Sequence, residues 1–191
     1  MRLRLKNLLL FAVLLSLFPL VVQAHAAGTM VTGWQDGFNH PLHGWDHLLA
    51  MLGVGWWAAQ QRGALRWCLP LTFVAVMGVG GLVGFSGAEL PGVEWVIGGS
   101  VLAFALLVVS RARLPPGTMM SLVGFFAFFH GFAHGQELPG AASLLLFGAG
   151  FTVATVLLHG TGFFTARALP MVLAGLVSTT ALAQSRVTTA N

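Results

Sequence analysis

The placement of charge limits this chain more than any other feature. Lys, Arg, Asp and Glu make up only 7% of its 191 residues, and most lie in short breaks between apolar runs of about twenty residues. Soluble chains are typically about 25% charged. With 57% apolar residues and a mean hydropathy of +0.85, this chain cannot cover a water-facing surface with polar groups. Lipid is therefore its solvent, and a segment of about 20 apolar residues crosses the hydrocarbon as a helix. The pattern predicts an all-α fold, a polytopic membrane bundle.

The first 24 residues have the form of a secretory signal peptide. Arg2, Arg4 and Lys6 form a charged start, residues 8–17 an apolar stretch, and Val22-Gln23-Ala24 a small-residue cleavage site. Ala24-His25-Ala26 fits the same cleavage rule one step later. The alternative is an uncleaved first helix. Cleavage leaves six basic residues against five acids, a net charge of +1, so the sequence pI of about 11.2 points to no nucleic-acid partner. A single cysteine, Cys68, excludes an intrachain disulfide and a cysteine-based zinc site.

Six spanning helices are expected after the signal, over residues 41–61, 67–86, 93–110, 117–136, 141–164 and 168–184, forming one domain over residues 25–191. Turn formers and charges separate them, the last break falling at Arg167. Short loops imply that successive helices run antiparallel. A cleaved signal leaves the mature N-terminus in the periplasm. Arg62, Arg66, Arg111, Arg113 and Arg167 then all fall on the cytoplasmic side, as the positive-inside rule requires, and only Arg186 lies outside. Six crossings return the C-terminus to the periplasm, giving a multi-pass protein of the bacterial inner membrane. Gly78, Gly80, Gly81 and Gly84 are expected to let helix backbones approach closely in lipid. Gly87-Ala88-Glu89-Leu90-Pro91-Gly92 echoes Gly135-Gln136-Glu137-Leu138-Pro139-Gly140, which suggests two similar hairpins.

Ionisable residues within such helices are costly and usually functional. One cluster opens the first helix: His40, His43, Asp46 and His47. On an unbroken helix these residues and Met51 share an arc of roughly 140°. Imidazoles with one carboxylate form a ligand set for Ni²⁺, Co²⁺ or Zn²⁺; the bland reading is a polar helix start facing water. A second cluster closes the fourth helix, His130, His134 and Glu137 at i, i+4 and i+7. Here Glu137 is equally well read as a loop charge. His159 stands alone in the fifth helix, where packing and function are balanced readings. His25 would become a chelating N-terminus after cleavage at Ala24. Glu89 and Glu94 flank a periplasmic loop and attract cations there, with a role favoured for Glu89 and not for Glu94. By depth, ligands are dense near the periplasmic entrance and sparse near the exit at His159. No catalytic set and no nucleotide-binding motif is present, which argues against an enzyme and against intrinsic ATP use.

The signal sequence ending at Ala24-His25, the run His40-Pro41-Leu42-His43-Gly44-Trp45-Asp46-His47 followed by Met51 and Gly55, and His130-Gly131-Phe132-Ala133-His134-Gly135 resemble the HupE/UreJ family of nickel permeases and accessory proteins. The His-x5-Asp-His motif is similar to that of the larger nickel/cobalt transporters. The resemblance implies nickel or cobalt uptake in support of hydrogenase or urease maturation, with the metal as transported substrate and no permanently bound cofactor. It carries over to His40, Asp46 and His47 first. His43 is not required by the family pattern, and His130, His134, Glu89 and His159 match less diagnostic positions. Two rivals remain at this point: a membrane metal-binding partner that does not transport, and a carrier with haem on His130 and His159.

Overall fold

A computed structural model describes residues 33–138 and 144–188, with backbone alone for residue 170 and residues 172–188. The expected signal peptide, His25 and residues Pro139 and Gly140 lie outside the described residues. Among those described, the chain is all-helical: α1 (Trp34–His43), α2 (Trp45–Ala59), α3 (Leu65–Phe85), α4 (Val93–Ser110), α5 (Pro116–Glu137) and α6 (Leu144–Thr188).

Local chemistry sets several of these boundaries. Gly63, Gly87 and Gly92 turn the chain between α2, α3 and α4 with positive φ. Pro115 and Pro116 open α5, where a missing N–H is not needed. Gly44 breaks the first expected segment in two, with φ −90° and ψ 112° between α1 and α2. At the other end of the chain the expected turn at Arg167 is absent. The fifth and sixth expected segments form one continuous helix of 45 residues. A single arginine does not break a helix, and Pro170 removes only one backbone hydrogen bond. Among the described residues, four helices are long and apolar enough to cross a membrane: α3, α4, α5 and α6 over Leu144–Leu169.

The bundle exposes large apolar side chains and buries several polar ones within an apolar core. Leu71, Leu82, Trp95, Leu145 and Phe164 are each more than half exposed, while His47, His130, His134 and His159 are buried. A soluble protein would invert this distribution. The shared core is built by Met51, Val54 and Trp57 of α2, Phe73 of α3, Phe104 of α4 and Val123 of α5. The Trp57 indole donates to the Ala112 carbonyl at 2.9 Å, tying α2 to the chain beyond α4.

The tightest packing joins helices that are not consecutive, α3 with α5 and α6 with α1 and α2. Glycine makes this approach possible. A Cβ on Gly80 would overlap the Phe128 carbonyl, and one on Gly131 would overlap the Met77 carbonyl. Gly84 and Gly135 repeat the arrangement on Phe132 and Gly81. Each glycine thus sits on the carbonyl three residues before its partner glycine. The pairs advance together, from 80 with 131 to 84 with 135, so α3 and α5 are parallel. Gly37 with Gly150, then Gly55 with Gly162, show the same reciprocity and make α1–α2 parallel to α6. Carbonyl contacts of this kind are how small residues hold helices together in lipid. The packing role expected of the α3 glycines holds for Gly80 and Gly84, whereas Gly78 faces open space.

Candidate metal centre

Two polar groups meet at the end of the bundle where α3 and α5 finish. The more exposed consists of His40 from α1 with His134 and Glu137 from α5. His40 Nε2 lies 3.0 Å from Glu137 Oε2, and His134 Nδ1 lies 3.3 Å from the same oxygen. Donor atoms from these three residues all fall within 4.8 Å of one another. The i, i+3 spacing puts His134 and Glu137 on one face of the last turn of α5, as the sequence pattern anticipates.

The deeper group joins three imidazoles. His47 Nδ1 lies 2.7 Å from His130 Nδ1 and 3.3 Å from His134 Nε2. His134 therefore belongs to both groups, facing Glu137 with one nitrogen and His47 with the other. Two nitrogens that bind one ion at about 2.1 Å and right angles are about 3.0 Å apart. The observed separations bracket that value, so small side-chain movements turn hydrogen-bond neighbours into co-ligands.

The partners assign the protons. The Ser100 hydroxyl donates to the Ile97 carbonyl at 2.6 Å, so at 2.9 Å it accepts from His130 Nε2–H. Glu137 accepts from His134 Nδ1–H. By this assignment His130 Nδ1 and His134 Nε2 both turn lone pairs toward His47 Nδ1, which supplies the hydrogen. Asp46 stands on the other side of the His47 ring, 3.7 Å from Nε2. Moving the His47 proton from Nδ1 to Nε2, toward that carboxylate, leaves three imidazole lone pairs converging on one point. A carboxylate that orients a ligand histidine is a common supporting partner of metal sites. Asp46 is itself held by the His47 backbone N–H at 2.8 Å and by its place in the first turn of α2, where the helix dipole favours a negative charge.

A family model described as HupE / UreJ protein matches residues 13–190. The chain belongs to the HupE/UreJ family. Protein HupE of Rhizobium leguminosarum bv. viciae is 42% identical over 144 residues, which is 75% of each chain. No solved structure matches. HupE/UreJ proteins are membrane transporter and accessory proteins rather than enzymes.

In this HupE/UreJ chain, His40, Asp46, His47, His130, His134 and Glu137 come together from α1, α2 and α5. His43 does not join them. It is exposed and its Nδ1 donates to the Asn39 carbonyl at 2.8 Å. The single arc expected for residues 40–51 assumed a continuous helix, and the break at Gly44 changes the phase between His43 and His47. Glu89 lies exposed in the α3–α4 loop. That loop is at the same end of the bundle, since Gln136 donates to the Ala88 carbonyl at 3.0 Å. Glu94 is half-buried in the first turn of α4. His159 lies on α6, apart from both groups, with its ring 5.1 Å from Phe73.

Phe73 also lies 5.7 Å from the His130 ring. His130 and His159 thus contact the same side chain, Phe73, so a haem held by both would have to displace it. Sequence reasoning missed Ser100, Phe73, Phe147 and Phe151, the last two packing on His40 and Phe151 also on His134. Of these only Ser100 carries a signal, a polar side chain inside an apolar span. A cavity of about 480 Å³ between α3, α5 and α6 reaches His134, and Met77, Leu82, Leu144 and Phe151 are among its apolar walls.

Proposed function

We propose that this protein carries nickel, with cobalt as the nearest competitor, across the bacterial inner membrane for hydrogenase or urease maturation. The observation that supports this most is the shared position of His134, which links a half-exposed carboxylate group to a buried imidazole group. A cation can be captured by His40, Glu137 and His134 Nδ1 once that nitrogen gives up its proton, then released to His47, His130 and the other nitrogen of the same ring, His134 Nε2. Neutral imidazole and carboxylate suit borderline divalent ions, and nickel and cobalt accept the same donors.

The ligand end faces the periplasm in this reading. The signal peptide is cleaved, and Arg62, Arg66, Arg111 and Arg113 lie on the cytoplasmic side. Six crossings and a periplasmic C-terminus require α6 to fold back near Arg167. Alkaline phosphatase fused after Asn191 is active in that case, and inactive if α6 leaves the membrane once.

Accumulation of radioactive nickel in cells with and without the protein tests the transport step. Protein-dependent uptake is expected, competed by cobalt more strongly than by zinc. Nickel binding by purified protein without influx into liposomes would replace transport with a binding role.

A further inference from the structure

Among the described residues, four buried side-chain polar atoms have no hydrogen-bond partner: Gln60 Oε1, Thr155 Oγ1, and both nitrogens of His159. Three of the four lie on one face of α6, since residues 155 and 159 are one turn apart. Thr155 is fully buried and His159 is 3% exposed. Orphaned polar groups of this kind are rare in native interiors and costly to leave unpaired. An imidazole kept for packing alone would be better replaced by leucine. Two donor-capable residues left without partners, side by side, mark a place prepared for something polar.

Their position says what arrives there. Phe147, Phe151, Thr155 and His159 follow one another at four-residue intervals on α6, and all are buried. Phe147 and Phe151 pack on His40, and Phe151 also on His134, while Phe73 separates His130 from His159. From Phe151 to His159 is eight residues, about 12 Å along the helix. α6 runs parallel to α1–α2, so this displacement leads away from the ligand end and toward the opposite face.

We propose that His159 and Thr155 form a second, inner station for a borderline divalent cation, separated from the outer groups by the Phe73 ring. The proposal rests on the transport reading in one respect, that the ion comes from the outer groups. The ion binds a lone pair of His159 and the Thr155 oxygen and keeps water at its remaining positions. So sparse a ligand set holds a cation weakly, which suits release.

His159→Leu tests this, because it removes both unpartnered nitrogens while keeping an apolar side chain that packs. Nickel binding to purified wild-type and variant protein is measured by equilibrium dialysis up to millimolar nickel, and influx is measured in proteoliposomes. The variant is expected to fold with an unchanged or raised melting temperature and to keep outer-site affinity within about twofold, the scale expected of a distant change. It should bind one nickel fewer per chain at saturation and lose about tenfold or more of its influx, equivalent to about 1.4 kcal/mol. His159→Cys, which restores a ligand, should recover part of both. Wild-type stoichiometry and wild-type influx in His159→Leu would overturn the inner station and leave a water pocket only. Absence of influx in the wild type would sink the transport reading. The lost equivalent in His159→Leu would then still support the inner station, and an unchanged stoichiometry would overturn it.

Discussion

The two ends of the histidine series differ in how their nitrogens are engaged. At the outer end His40 and His134 share Glu137, His47 faces His130 and His134, and His130 holds Ser100. Among the described residues no such network forms around His159, and its neighbour Phe73 is apolar. The same side chain thus serves in one place as part of a multidentate, proton-sharing assembly and in the other as an isolated donor in hydrocarbon. The contrast shows how one bundle can combine affinity at one depth with easy release at another, because affinity follows the number of converging donors rather than the presence of imidazole.

The comparison breaks most directly at His134. Replacing it by Ala removes a ligand from both outer groups, and nickel influx in proteoliposomes should fall by more than the 10–100-fold typical of losing a supporting partner. Influx near the wild-type rate would show that the two outer groups do not work through His134. Asp46→Asn keeps an oxygen for the His47 backbone N–H but weakens the pull on the His47 ring. It should lower nickel affinity and influx by about 10- to 100-fold while the protein stays in the membrane. An unaltered affinity, read by competition with a chromophoric chelator, would remove Asp46 from the site.

Smaller effects sharpen the contrast by separating frame from ligands. Gly131→Ala forces a methyl group onto the Met77 carbonyl and should destabilise the detergent-solubilised protein by about 1–3 kcal/mol. An unchanged thermal midpoint would mean that α3 and α5 are not clamped there. His43→Ala should leave nickel influx within about twofold of wild type, as for an exposed side chain that points away from the neighbouring ligand groups. A large loss would restore His43 to the ligand set that the family pattern does not require.

Much of the outer site was legible because imidazoles and carboxylates stand out against apolar helices. His40, Asp46, His47, His130 and His134 all announce themselves in this way. What the sequence concealed depended on geometry between segments. His43 was read as a face-mate of His47 because nothing in Gly44 alone distinguishes a packing glycine from a helix break. Glu137 looked equally like a loop charge until His40 was placed beside it. Gly80 and Gly84 told of a close approach, but a small-residue pattern does not name its partner, and the partner proved to be the parallel helix α5. Phe73 has no sequence signature in a chain with 15 phenylalanines. The break expected at Arg167 is not seen in α6, since a charge can lie on a helix without ending it.

The glycine clasps divide the molecule mechanically. One rigid half comprises α1, α2 and α6 and bears His40, Asp46, His47 and His159. The other comprises α3 and α5 and bears Phe73, His130, His134 and Glu137. Both candidate outer groups therefore straddle the seam between these halves, whereas Thr155 and His159 lie wholly on α6. An ion held by either outer group would draw ligands from both halves at once, so the cargo itself would stitch them together.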